Sequence, residues 1–393
     1  MATGWAVVAV AATEPNTSTS AAASKKNNST GALLAAALAL PGILPATAVA
    51  QLAPDPGLIA LKYLDYRDWQ PGGDRIHVRT PSFYARKPLS DSLQAEGSIV
   101  YDSISGASPL YHNTLSGASR LGVTDYRTAG NAKLTKYFDQ FAAGVGAAVS
   151  SERDYLSRAL SLDVRISSDD RNRTFAFGIG GASDRINSTN SVAEGKERHT
   201  LDLLAGVTQA LSPETIVQST VTYSPGHGYY SDPYKAIDVR PDRRRIFAWL
   251  TRYNQHLPWL DATVNLSYRY LHDSFGSNSH AAEFAWNQPL PDGWSVVPNL
   301  RYYTQSAADF YFDPPFAHGF VLGQPYSADT RLSAFGALTS GVSIVKRLPD
   351  GWSFDVKLDF YRQRSDWRLG GDGSPGLEPF SARWIQTGIS KTF

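Results

Sequence analysis

The charged side chains of this sequence fall into two arrangements with chemical consequences. In the first, Arg240, Arg243, Arg244 and Arg245 crowd a short stretch that also holds Asp238 and Asp242. At the mouth of a cleft such a cluster draws anions, because low-dielectric walls focus the field of like charges. On a solvated loop the same residues would pair locally and do little else. Just upstream, His227 lies between Gly226 and Gly228 in a stretch that carries Tyr223, Tyr229, Tyr230 and Tyr234. Those aromatics suit stacking on a ligand or forming a constriction, and equally suit a loop packed on its neighbours. His227, Tyr229, Tyr230, Arg243, Arg244 and Arg245 are therefore candidate mouth or loop residues. His199, His272, His280 and His318 lie on or near expected long connections. Imidazole suits Zn, Cu or Ni, yet none of these stands in a tight ligand spacing. There is no Gly-x-Ser-x-Gly around a nucleophile elbow. The Gly178-Ile-Gly-Gly segment ends a strand with no helix after it, unlike a dinucleotide fingerprint. No catalytic residue, metal ligand or cofactor is assigned, and no enzymatic activity is expected.

The second arrangement is periodic. Asp163 and Arg165 alternate with Leu162, Val164 and Ile166. Asp355, Lys357 and Asp359 alternate with Phe354, Val356, Leu358 and Phe360. In Leu260–Leu271, Asp261, Asn265 and Arg269 share one face, and Leu266 and Tyr268 the other. Side chains alternate across a strand, so each stretch has one apolar and one wet face. In a soluble sandwich the wet face meets solvent. In a membrane, a charge on the lipid side costs ~2–4 kcal/mol near the midplane. The membrane reading therefore places Asp163, Arg165, Asp261, Asn265, Arg269, Asp355, Lys357 and Asp359 on the lumen side.

The elements that must position these residues read as strands throughout. They are expected at 58–69, 75–86, 93–103, 123–138, 141–150, 156–167, 174–183, 199–209, 215–224, 245–255, 259–272, 281–288, 294–304, 331–346, 352–364 and 380–393. Short turns alternate with long connections at 104–122, 184–198, 225–242, 273–280, 305–330 and 365–379. This asymmetry predicts an all-β fold, a transmembrane antiparallel up-and-down β-barrel of about sixteen strands (range about 12–18), with both termini periplasmic. Two turns are identical, Leu290-Pro-Asp-Gly-Trp-Ser and Leu348-Pro-Asp-Gly-Trp-Ser. Each starts a strand with a tryptophan, so Trp294 and Trp352 are candidates for an interface girdle. Small residues on one face of Ala142–Ala148 would let a strand sit against a plug, loop or neighbouring barrel.

Composition fits this architecture. The 393 residues carry a net charge of +1, which gives no argument for a nucleic-acid partner. Zero cysteine excludes disulfides and thiolate chemistry. Nine Trp, twenty Tyr and seventeen Phe suit aromatic girdles as well as a soluble core. Lys25-Lys26, the apolar run 31–46 and Ala48-Val49-Ala50 have the form of a signal peptide cleaved after Ala50. Residues 1–50 are thus expected to be a leader and 51–393 the barrel. The chain ends on Phe393, whose face also holds Ile385, Thr387 and Ile389. That ending resembles the signal read by the barrel-assembly machinery, with Lys391 departing from the usual apolar residue.

The stretches Asp125-Tyr-Arg-Thr-Ala-Gly-Asn-Ala-Lys-Leu-Thr-Lys-Tyr-Phe, Ser150-Ser-Glu-Arg-Asp-Tyr-Leu-Ser-Arg-Ala-Leu-Ser-Leu-Asp and Ser167-Ser-Asp-Asp-Arg-Asn-Arg-Thr resemble the domain of unknown function 3570 family. The aromatic loop from Tyr223 and the run Asp242-Arg-Arg-Arg are similar to it too. The resemblance implies a bacterial outer-membrane β-barrel and no settled activity. The functional expectation is a porin-like passive channel or transport conduit for a small solute in the outer membrane. The alternatives are a non-conducting barrel that scaffolds a periplasmic or surface partner, and a membrane-embedded hydrolase. Expected partners are outer-membrane lipid and the barrel-assembly machinery.

Overall fold

The computed structural model describes residues 53–106, 123–235, 238–313, 321 and 323–393. The leader with its cleavage site, most of the first long connection and His318 lie outside the described residues. Eighteen strands follow in chain order: β1 Leu58–Gln70, β2 Gly73–Ser90, β3 Leu93–Gly106, β4 Val123–Tyr137, β5 Phe141–Ser151, β6 Tyr155–Ser167, β7 Arg173–Ile186, β8 Lys196–Ser212 and β9 Thr215–Gly228. After these come β10 Asp238–Val239, β11 Arg243–Leu257, β12 Ala262–Asp273, β13 Asn278–Pro289, β14 Trp294–Gln305, β15 Tyr326–Ser327, β16 Phe335–Arg347, β17 Trp352–Arg364 and β18 Phe380–Thr392.

Sixteen of them form one closed antiparallel barrel. The two-residue strands β10 and β15 pair with each other in a separate sheet outside the wall, and Ser327 of β15 also bridges Tyr311. Closure is made by β1 against β18, in register from Leu58↔Thr392 to Trp69↔Ser381. The Phe393 amide adds one more bond, donating to the Gly57 carbonyl at 2.9 Å. A closed barrel leaves no unpaired edge, the condition for β-structure to sit in lipid.

The two ends differ as the sequence predicts. At the end where β1 begins and β18 finishes, the strands are joined by tight turns, such as Asp91-Ser92 and 213–214. The identical turns at 291–293 and 349–351 place Asp292 and Asp350 at φ 59° and 56°, each followed by a glycine at φ 77°. Both are hairpin turns with two left-handed residues, which Asp-Gly adopts readily. At the opposite end lie the connections 229–242, 306–334 and 365–379. Outward positions carry the apolar side chains. Leu160, Leu162, Val164 and Ile166 of β6 and Phe354, Val356 and Phe360 of β17 are all exposed. The Phe354–Phe360 run is about 20 Å long at ~3.4 Å per residue.

Most boundaries move by one to four residues, and two of the shifts have a local cause. The strand expected from Arg331 begins at Phe335, because Thr330–Leu332 forms a 3-10 turn capped by the Asp329 side chain. The strand expected from Arg245 begins at Arg243, paired to His227 on a β9 that runs on to Gly228.

Candidate functional site

The inner wall is lined by ion pairs. Asp163, Arg165, Asn265, Arg269, Asp355, Lys357 and Asp359 all lie on inward faces, opposite the exposed apolar positions of their strands. Lys357 contacts Asp359 at 3.1 Å, Lys62 contacts Asp355 at 3.3 Å and Lys133 contacts Asp163 at 2.6 Å. Asp261 departs from the sequence expectation. It is exposed in the turn before β12 at φ 46°, because the alternation of β12 stops at Ala262.

The last two of these bridges span three strands. Lys62, Gly388 and Asp355 lie in one register row across β1, β18 and β17. With no side chain on Gly388, the lysine reaches over the middle strand. Gly144 on β5 plays the same part between Lys133 on β4 and Asp163 on β6, where an added methyl would lie 2.6 Å from both side chains. The small residues of Ala142–Ala148 thus clear space for a wall-spanning ion pair. Charges taken out of water need such partners, since an uncompensated buried charge costs several kcal/mol.

The connections at the long-loop end hold a second, denser cluster. β10 and β15 bring the connections 229–242 and 306–334 together. Asp329, almost wholly buried, accepts from Arg240 at 2.6 Å and from Arg331, with Lys235 at 3.4 Å. Arg240 also binds Asp238 through two bonds of 2.7 Å, and Arg331 reaches Asp232 at 2.7 Å. Ser327 donates to Asp238 at 2.9 Å. Burial alone would push the Asp329 carboxyl up, but the cations of Arg331, Lys235 and Arg240 hold it well below the usual carboxylate range. Burial likewise opposes the charge of Arg240, yet Asp238 and Asp329 outweigh it and raise its pKa. Beneath the cluster Phe275, Ala308 and Leu332 pack with Tyr230, Phe310 and Tyr311. Tyr234 extends the tie by donating to Asp154 at 2.5 Å, and Asn190 donates to the Pro233 carbonyl at 2.8 Å.

The candidate mouth residues separate. Tyr230 turns inward, under Arg198 at 5.5 Å and edge-on to Phe275. Tyr229, half-buried, belongs to the same loop. Arg244 faces inward, bonded to Asp273 at 2.9 Å and 2.5 Å and stacked over Phe275. Arg243 and Arg245 do not join it. They begin β11 on the face of Phe247 and Trp249, directed away from the lumen. His227 is also outward, its ring 5.2 Å from that of His199. Strand alternation splits what looked like one arginine cluster.

At the turn end, Trp294 and Trp352 are exposed at equivalent places. Lys346 lies 4.7 Å over Trp294 and Lys391 5.3 Å over Trp352, and each donates to the carbonyl of the turn aspartate. Lys391, the departure from the usual C-terminal pattern, thus has a partner of its own.

Asp232, Lys235, Asp329 and Arg331 of this cluster were not singled out from the sequence. The usable signal was a repeated Asp-x-Arg, at Asp238-Val-Arg240 and Asp329-Thr-Arg331, in the two connections that meet.

A family model described as "Protein of unknown function (DUF3570)" matches residues 30–121 and 111–384. The chain belongs to this family. No curated protein matches it in sequence. Among solved structures, the DUF3570 barrel is similar to a bacterial polysaccharide outer membrane secretin (TM-score 0.49, 9% identity, 85% of this chain and 98% of that one). It is also similar to OccK2 (OpdF) from Pseudomonas aeruginosa (0.44, 10%, 86% and 98%) and to the siderophore receptor PirA of the same organism (0.44, 12%, 80% and 57%). These are likenesses of fold between barrels.

Proposed function

We propose that this protein resides in the outer membrane of a Gram-negative bacterium and acts as a passive conduit for a small polar solute, with the ion-paired loops serving as a cap over its outer mouth. The observation that carries this reading is the division of faces in a closed sixteen-stranded wall, with ion pairs within and exposed apolar side chains without. A barrel of that strand number is wide enough for an aqueous channel unless something fills it. In this reading the protein is a conduit and not an enzyme.

Asp329 is the natural point of attack, since one carboxylate gathers three cations from two loops. In planar bilayers the wild type is expected to give small, steady conductance steps, and Asp329→Ala steps several-fold larger. The pH dependence has a definite sign. A carboxylate whose pKa is lowered by folding contributes its full stabilisation above the unfolded value of about 3.9. It loses that contribution as pH falls through the lower folded value. The cap should stay closed from neutral pH to about pH 4 and open only in stronger acid. Silence from both proteins at every voltage and pH would defeat the channel reading. The scaffold alternative would then stand, favoured by the buried interior side chains of Asp359, Lys62 and Trp384, which pack the wall along β1, β17 and β18.

A further inference from the structure

The outward face carries basic residues at both rims. At the turn rim Lys346 and Lys391 are engaged with Trp294, Trp352 and the turns, and Arg173 donates to Gln209. At the loop rim the basic residues are arginines, and most make no ion pair. Arg79, Arg158, Arg185, Arg362 and Arg383 are exposed and have no carboxylate partner among the described residues. The same holds for Arg243 and Arg245.

Three loop-rim arginines converge where β2, β1 and β18 lie side by side. Arg67 is directly opposite Arg383, and Arg79 is opposite Asp65, two residues from Arg67 on β1. Neighbouring strands are about 4.8 Å apart, so long guanidinium side chains at these positions can reach a common point. Asp65, the acidic group on this face, is occupied by His77 at 2.7 Å and Arg67 at 3.2 Å. Positive charge therefore remains. Directly below on the same outer face runs an apolar groove of about 600 Å³, lined by Leu61, Tyr63, Pro81, Phe83, Ile99 and Tyr101. Pro81 lies two residues below Arg79 on the same strand face, a step of about 7 Å.

We infer that Arg67, Arg79 and Arg383, with the groove beneath them, form a binding site for a membrane lipid with an anionic phosphate headgroup. The inference rests on the membrane placement proposed above. Charge complementarity and the groove together select this occupant. The guanidinium fork matches phosphate oxygens two at a time, which a lysine ammonium does not. The groove offers an acyl chain an apolar bed at the depth where it would leave such a headgroup.

The test uses the full-length protein in phosphatidylcholine nanodiscs doped with phosphatidic acid, with retained lipid measured by native mass spectrometry. The wild type should retain phosphatidic acid over phosphatidylcholine. The triple variant Arg67→Gln, Arg79→Gln, Arg383→Gln should lose that preference, by roughly fivefold per arginine and on the order of a hundredfold in all. Lys346→Gln with Lys391→Gln at the other rim should leave it intact. Arg→Lys at the three sites should restore only part, separating fork geometry from charge. Equal retention by wild type and triple variant, or full restoration by lysine, overturns the inference. Flotation with the nanodisc lipids separates the two failures. A barrel that will not insert refutes the membrane placement, and one that inserts without selecting phosphatidic acid refutes this site alone.

Discussion

The inner wall and the outer rim of this barrel hold similar cations under opposite rules. Inside, Lys62, Lys133, Lys357, Arg127 and Arg244 each meet a carboxylate. On the outer rim Arg79, Arg243, Arg245, Arg362 and Arg383 meet none among the described residues. The difference follows from solvation. A cation enclosed by protein must be compensated, whereas one at a wet rim is already stabilised by water or headgroups. Each of these enclosed cations is paired, whereas on the rim Arg67 pairs with Asp65 and the other arginines named leave a surface available to something else.

The largest expected effect comes from breaking a pair on the enclosed side. Lys62→Ala leaves Asp355 buried and alone, and should lower unfolding stability in urea by about 3–5 kcal/mol. The double variant Lys62→Met, Asp355→Leu should recover most of it, because an apolar pair needs no compensation. A small loss in the single variant would mean that the lumen is wetter here than the burial of these side chains implies. Next comes a charge placed where none is tolerated. Leu266→Arg on the outward apolar face, the lipid side in the proposed placement, should cost about 2–4 kcal/mol in the same assay. Its effect should exceed that of Ser267→Arg on the neighbouring inward position, and the reverse order would invert the assignment of faces. The smallest effect belongs to the rim. Arg245→Gln should change stability by no more than about 0.5 kcal/mol, as expected of an unpaired surface residue. A larger loss would show that the rim arginines hold the fold.

Much of this arrangement was legible in the sequence, and the parts that were not have a common cause. Period-two alternation located the sixteen wall strands because every one has a wet and an apolar face. The same rule failed at Asp261, where alternation continues in the letters after the chain has turned. It also decided against a single mouth cluster, since Arg243 and Arg245 share a parity that excludes Arg244. The cap was hidden because its contacts are remote. Arg240 and Asp329 are 89 positions apart, and a two-residue strand leaves no periodic trace. The rim site was hidden for a similar reason. Arg67, Arg79 and Arg383 become neighbours only when the first and last strands pair.

The cap cluster joins three carboxylates, Asp232, Asp238 and Asp329, to three cations, Lys235, Arg240 and Arg331. Its formal charge is zero, and so is that of each loop's share of it. An electric field across the membrane does about 2.3 kcal/mol of work per elementary charge moved through 100 mV. Displacing either half of this cluster moves no net charge. The cap would therefore ignore membrane voltage and answer instead to whatever competes for its ion pairs, such as strong acid, salt or a charged solute arriving from outside.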